Sequence, residues 1–250
     1  MKRVLSDRYF LGRKCIFCDE NKLYRLSDNR VKCKHCQKKY SLNQLRLIMQ
    51  ILYYFYLELS ARKTSKELEL DYKTVQSRFM QFRKLIADYC NQEAKKLNGE
   101  IEIDESYFGG KRKGQRGRGA KNKTIVFGIL ERKGKIYTKI VENVSAETLM
   151  NEIKNKTLKG SVFFTDGWKS YASLEQFGKH NIIDHDKELV DDNHNHINGI
   201  EGFWSFAKER FHKYHGIDKE KYPYYVKEME FRFNNRNNNV YKLLMDICIR

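Results

Sequence analysis

Ile101-Glu102-Ile103-Asp104-Glu105-Ser106-Tyr107-Phe108 is the stretch on which the fold turns. Upstream of it, apolar residues recur at helical spacings of three and four; from Ile101 on they alternate, the period of a β-strand. Alternation sets Glu102 and Asp104 on one face and Glu105 on the other. Asn98-Gly99, a turn signal, marks the change and a boundary between domains.

Outward towards the C-terminus, Thr124–Leu130 and Lys135–Val141 read as a strand pair around Lys133-Gly134. Ser145 can cap a helix through Lys156. Ser161–Thr165 is a short apolar strand, Trp168–Phe177 a helix, Asn181–Asp184 a further strand, and Ile197–His212 and Lys219–Asn235 are helices. The order βββαβαβα predicts an α/β, ribonuclease H-like domain over residues 99–250.

Outward towards the N-terminus, Leu42–Leu59 is apolar almost all round, a buried helix. Thr64-Ser65-Lys66-Glu67 has the pattern of a capping box and predicts a short helix through Leu70. Asp71 then caps a longer helix running towards Leu97, with Val75, Phe79, Phe82 and Ile86 as its core stripe. Three helices with a tight turn between the second and third predict an all-α helix-turn-helix domain over residues 42–98. Lys73, Gln76 and Arg78 would then face the major groove. A plain helical bundle with a solvated basic face is the alternative.

Residues 1–41 carry Cys15-Ile16-Phe17-Cys18 and Cys33-Lys34-His35-Cys36, two knuckles with 14 residues between them. Four thiolates at this spacing close a tetrahedron around a structural Zn²⁺ and predict a zinc ribbon. With four sulfurs available, His35 is not needed as a ligand; Cys90 and Cys248 have no partners at ligand spacing and read as buried.

The chain has 250 residues, 49 Lys and Arg against 32 Asp and Glu, and a net charge of +17. Such an excess points to a polyanion, nucleic acid before an anionic membrane. The apolar run Leu47–Leu57 is too short to span a bilayer, and no signal peptide is visible at the start, so the expectation is a cytoplasmic, nucleoid-associated protein with no membrane partner. Residues 109–123 hold seven Lys or Arg, five Gly and no acid. Within them Lys111, Arg112, Lys113, Arg116 and Arg118 are candidate phosphate contacts, placed beside the end of the first strand of the sheet.

Three acids stand out: Asp104 on that strand, Asp166 at the end of Val162-Phe163-Phe164-Thr165-Asp166, and Glu201 on a late helix, with Lys208 two turns on along the same face. Glu105 rivals Asp104; Asn198 and His194 rival Glu201; Asp184, Asp186, Asp191 and Asp192 compete less well in a polar segment. Asp166 can alternatively cap a helix, and Lys208 can be a solvated lysine. Trp168 and Trp204 suit core packing better than stacking on a splayed base.

The strings Ile103-Asp104-Glu105-Ser106-Tyr107-Phe108-Gly109-Gly110, Thr165-Asp166-Gly167-Trp168-Lys169-Ser170-Tyr171 and His196-x-Asn198-Gly199-Ile200-Glu201-Gly202-Phe203-Trp204-Ser205 resemble those of bacterial insertion-sequence transposases of the DDE type, in the subgroup with an N-terminal zinc ribbon. The resemblance runs from about Arg13 to Arg236. It implies that Asp104, Asp166 and Glu201 hold two Mg²⁺ or Mn²⁺ ions, suited to hard oxygen ligands, that Lys208 contacts DNA phosphate, and that double-stranded DNA, both terminal inverted repeats and target, is cut and joined by a homodimer or higher oligomer. Arg232 and Arg236 resemble the family's terminal R-x-N-x-R element, with DNA contact and helix packing both open as roles. The competing reading is a DNA-binding transcriptional regulator, or a domesticated relative without catalysis; an ordinary nuclease without strand transfer is the third.

Overall fold

The computed structural model describes residues 14–28, 30–92, 95–109, 123–166, 169–183, 196–214 and 216–249. Lys111, Arg112, Lys113, Arg116, Arg118, Trp168, Asp184, Asp186, Asp191, Asp192 and His194 lie outside them. The chain divides into two compact units: residues up to Ile86 together with Asn238–Arg250, and Ala87–Asn237.

In the first unit, β1 (Leu23–Arg25), β2 (Arg30–Cys33) and β3 (Lys39–Ser41) form a small antiparallel sheet in that order. Ser41 ends β3 and caps α1 (Leu42–Tyr56), its Oγ accepting from Gln44 N at 3.3 Å. Helix α1 buries Leu45, Met49, Ile51, Leu52 and Phe55, as its apolar run predicted. The next helix starts earlier than expected. Ser60, not Thr64, caps α2 (Ala61–Glu67), accepting from Lys63 N at 3.2 Å. Thr64 lies inside the helix, fully buried. Ser60 lacks a glutamate three residues on, so it shows no capping box, while Thr64 shows one without being at a helix start.

Glu69 takes φ +52° in the turn after α2, and Asp71 caps α3 (Tyr72–Gln92) by accepting from Thr74 N at 3.1 Å. Val75, Phe79, Phe82 and Ile86 are all buried on α3, as the spacing required. A last helix, α7 (Val240–Cys248), went unanticipated. Asn239 caps it, Leu244 is fully buried, and Tyr241 meets Tyr53 of α1 edge-on at 5.7 Å.

The second unit is built on a five-stranded sheet in the order β6-β5-β4-β7-β8. Its strands are β4 (Glu100–Phe108), β5 (Thr124–Glu131), β6 (Ile136–Val141), β7 (Val162–Asp166) and β8 (Lys179–Ile183). The first three pair antiparallel; β7 joins β4, and β8 joins β7, in parallel. This is the ribonuclease H-like arrangement expected from the element order.

Helix α4 (Ala146–Lys156) and the 3₁₀ segment Lys169–Gln176 belong to the core on one face, with Ile101, Ile103, Phe127 and Ile129. Helices α5 (Asn198–Phe211) and α6 (Tyr222–Asn234) cover the other, with Phe108, Val126, Leu130 and Phe164.

Helix α6 also closes the edge strand β6. Asn234 accepts from Ile136 N at 2.7 Å and donates to Ile136 O at 2.8 Å. Glu230, buried, accepts from Thr138 N at 2.7 Å and from Thr138 Oγ1 at 2.6 Å. An open edge would be a template for pairing with another chain. Arg232 bonds Glu228 at 2.9 Å, both buried. In the R-x-N-x-R element, Arg232 and Asn234 therefore serve packing. Arg236 is exposed, with its guanidinium over the Phe233 ring at 4.3 Å.

Candidate active site

Asp104 lies within β4 and Asp166 ends β7. The printed pairing of these parallel strands runs from Glu100 beside Val162 to Glu102 beside Phe164. Asp104 and Asp166 each follow the last of these pairs by two residues. Glu102 and Asp104 alternate onto the face covered by α5, and so does Asp166, two residues beyond Phe164 of that core.

Asp104 senses the charge of Asp166. Burial pushes the Asp104 carboxyl up to about 7, with the charges of Glu105 and Asp166 adding to it, against the indole of Trp204 and a backbone N–H, which hold it down. A half-buried carboxylate beside a second one is an anionic pocket that a hard cation relieves. The donor set, oxygens alone, fits Mg²⁺ or Mn²⁺.

Glu105 points the other way. Its Oε2 accepts from the Tyr171 hydroxyl at 2.9 Å in the opposite core. Burial and that carboxylate hold the Tyr171 phenol well above its ordinary value. Glu105 thus shapes the potential at Asp104 from behind the sheet without sharing its face.

Helix α5 follows β4 closely. Ile200 N donates to Glu102 at 2.8 Å, and Trp204 Nε1 donates to Asp104 Oδ2 at 2.9 Å. Two glycines allow this approach. A Cβ at Gly128, the cross-strand partner of Asp104, would lie 2.8 Å from the Trp204 ring; one at Gly199 would lie 2.8 Å from the Glu102 carboxylate. Trp204 is a core residue, 4% exposed, and its indole is also a ligand of the acid.

Glu201 is exposed, one residue after Ile200 and one turn before Trp204; Lys208 is exposed two turns along the same helix. Asn198 is exposed at the helix start. Among the described residues, the four cysteines are the group whose ligand atoms all come within 4.8 Å of one another, and the three acids form no such group.

The cysteines are arranged for a metal. Cys15 Sγ lies 3.6 Å from Cys36 Sγ, and Cys18 Sγ 3.6 Å from Cys33 Sγ. Zn–S bonds of about 2.3 Å in a tetrahedron put sulfurs about 3.8 Å apart. Turns at Cys15–Asp19 and Cys33–Gln37, with Asp19 and Gln37 both at positive φ, present the two pairs. His35 is outside the group, as expected, and so are the half-buried Cys90 and Cys248.

Missed in the sequence were the partners of these acids: Arg132 for Glu102, and the bond from Trp204 to Asp104. One signal was available, since an acid between two isoleucines of a buried strand requires a partner.

With this geometry in hand, the sequence matches the ISXO2-like transposase domain over residues 96–234. The chain belongs to the ISXO2-like transposase family. The expectation of a DDE-type transposase is met at that level. Relatives of this transposase include an uncharacterized transposase-like protein of Haemophilus influenzae, 43% identical over 105 residues that cover 41% of this chain and 84% of the relative. A protein of the transposable element ISH50 in Halobacterium salinarum is 24% identical, covering 90% of this chain and 86% of its own.

Among solved structures, the catalytic core domain of BIV integrase is 11% identical with a TM-score of 0.37, covering 60% of this chain and 95% of that one. The catalytic domain of Mos1 mariner transposase is 13% identical with a TM-score of 0.30, covering 66% and 91%. At these scores the likeness adds nothing to the fold read from the strand order.

Proposed function

We propose that this family member binds the terminal inverted repeats of its element and catalyses metal-dependent cleavage and strand transfer of DNA. The observation that carries the reading is that Asp104 and Asp166 lie on adjacent parallel strands, close enough for the charge of Asp166 to help hold Asp104 up to about 7. Asp104, Asp166 and Glu201 are the residues to hold two Mg²⁺ or Mn²⁺ ions. When bound, such ions activate the attacking oxygen and stabilise the leaving one in an in-line displacement.

In donor cleavage, water attacks a phosphodiester and a 3′-hydroxyl leaves; in strand transfer that hydroxyl attacks a target phosphodiester and a target 3′-oxygen leaves. Asp104 must be deprotonated for this, and Trp204 orients its carboxylate. Lys208 is placed two turns from Glu201 to contact a phosphate.

DNA recognition is assigned to α2, the Leu68–Asp71 turn and α3, read as a helix-turn-helix. Lys73 and Gln76 are exposed in the first turns of α3, and Arg78 is half-buried beside Gln81. The four-cysteine cluster is assigned one structural Zn²⁺. Pairing two DNA ends calls for a dimer or higher oligomer on DNA. No helix among the described residues is long and apolar enough to cross a membrane.

The test is purified full chain with terminal-repeat DNA and Mg²⁺ or Mn²⁺, resolved for nicked and joined products. Joined products support the transposase reading, and hydrolysis alone a nuclease. Specific binding without cleavage supports the regulator. Unchanged activity in Asp104→Ala or Glu201→Gln removes the site assignment.

A further inference from the structure

Glu102 is 1% exposed, on the central strand of the sheet. Its Oε2 accepts from Ile200 N at 2.8 Å, one of the orphan amides of the first turn of α5. No side chain of α5 itself caps this end; Ile197 occupies the cap position. Its Oε1 accepts from Arg132 Nε at 3.0 Å and lies 3.5 Å from His196 Nδ1. Arg132 in turn donates to His196 O at 2.6 Å, just before α5, and stacks its guanidinium over the Phe164 ring at 3.6 Å.

The bonds fall at related positions. Glu102 stands two residues before Asp104, Phe164 two before Asp166, and Ile200 one before Glu201. A single pair, the buried Glu102 and the partly exposed Arg132, therefore ties together β4, β7 and the start of α5, each immediately ahead of the acid it carries. Ordinary capping of α5 would need only a serine or aspartate at its own N-cap. Here the cap is supplied from the strand that bears Asp104, so the helix cannot slide along the sheet without breaking it. Gly199 sits against the same carboxylate, where a Cβ would come within 2.8 Å.

We propose that Glu102, held by Arg132, is a positioning residue that sets the register of Glu201 against Asp104 and Asp166 for metal binding. This rests on the reading of those three acids as the metal site. Partners that orient metal ligands without touching the metal change affinity or activity by about 10- to 100-fold when removed.

The experiment uses the full chain. Mn²⁺ affinity is measured by calorimetry or electron paramagnetic resonance, amide exchange is followed over residues 198–205, and cleavage is resolved into kcat and KM for DNA. Asp104→Asn and Asp166→Asn establish the site by losing Mn²⁺. Glu102→Ala is expected to weaken Mn²⁺ about 10- to 100-fold, to speed exchange at the start of α5, and to lower kcat with KM for DNA unchanged. Glu102→Gln keeps an acceptor for Ile200 N and should recover much of the Mn²⁺ affinity, whereas Glu102→Met, which fills the space without an acceptor, should not; equal Mn²⁺ affinity in the two overturns the role given to the bond.

Folded Glu102→Ala with wild-type Mn²⁺ affinity and unchanged exchange overturns the positioning role while leaving the site. If Glu102→Ala does not fold, Arg132→Met serves: it cuts the ties to His196 O and Phe164, and wild-type Mn²⁺ affinity there overturns the proposal equally. Undiminished Mn²⁺ binding in Asp104→Asn and Asp166→Asn removes the site reading, and the positioning role falls with it.

Discussion

Trp204 donates its indole N–H to the Oδ2 of Asp104 at 2.9 Å, across the space left by Gly128. The bond favours the ionised acid, against the burial that disfavours it. Trp204→Phe keeps most of the ring and removes the donor. Asp104 then titrates higher, so the acid limb of the pH–rate profile for cleavage is expected to move to higher pH. An unmoved limb with the fold intact would sink the role given to Trp204. Gly128→Ala displaces the same ring and is expected to cost about 1–3 kcal/mol of stability by overpacking, read from urea unfolding.

Asp104 also makes the metal-free protein sensitive to pH. Its folded value of about 7 lies above the ordinary 3.8, so the neutral form is favoured by the folded state. The associated stability is fully present below pH 3.8 and is lost as pH rises through about 7. Asp104→Asn removes this loss. At pH 8 without metal it should be more stable than the wild type by a few kcal/mol, on the scale of about 1.4 kcal/mol per pH unit. At pH 4 the two should converge. Mn²⁺ should then stabilise the wild type at pH 8 and leave Asp104→Asn unchanged. Parallel unfolding curves at both pH values would refute the buried-acid account.

A zinc ion on the four cysteines, as proposed, predicts a local unfolding when it is lost. Strands β1 to β3 have three, four and three residues, with Val31 and Cys33 as their buried side chains. So little core cannot order this segment without metal. One zinc per chain is expected by mass spectrometry. Cys33→Ser should lose it and raise amide exchange over residues 14–41 to that of an unfolded peptide, while residues 101–108 keep their protection.

DNA recognition by the start of α3 predicts a split between specificity and salt response. Lys73→Ala should weaken all sequences alike and reduce the salt slope by about one. Gln76→Ala should cost about 1–3 kcal/mol on one preferred base and little elsewhere. Fluorescence anisotropy across sequences and salt concentrations separates these outcomes; no change in either variant would remove α3 as the reading helix.

Asn234 tests what the R-x-N-x-R element does. Asn234→Ala leaves Ile136 N and O without their partner and is expected to cost about 1–3 kcal/mol in urea unfolding, with DNA affinity unchanged. Lost DNA affinity at full stability would return the element to DNA contact.

Much of this protein was legible in its order of residues. The period-two run of β4, the core stripe of α3, the Asp71 cap, the paired cysteines and the sequence of strands and helices are local patterns, set by side-chain geometry over a few residues. Two local signals misled or were passed over. Thr64 shows a capping box inside a helix that Ser60 starts, and α7, with its cap at Asn239 and short apolar stripe, was not assigned as a helix.

The sequence by itself determined the change from helical to strand periodicity near residue 99, the strand that carries Asp104, and the separation of Glu102 and Asp104 from Glu105. Only the tertiary structure decided which partners those acids take: Trp204 for Asp104, Tyr171 for Glu105, and Arg132 with Ile200 for Glu102. The physical reason is that a buried polar group must find a partner, while the sequence does not say which of many distant donors the packing of helix on sheet will bring within 3 Å.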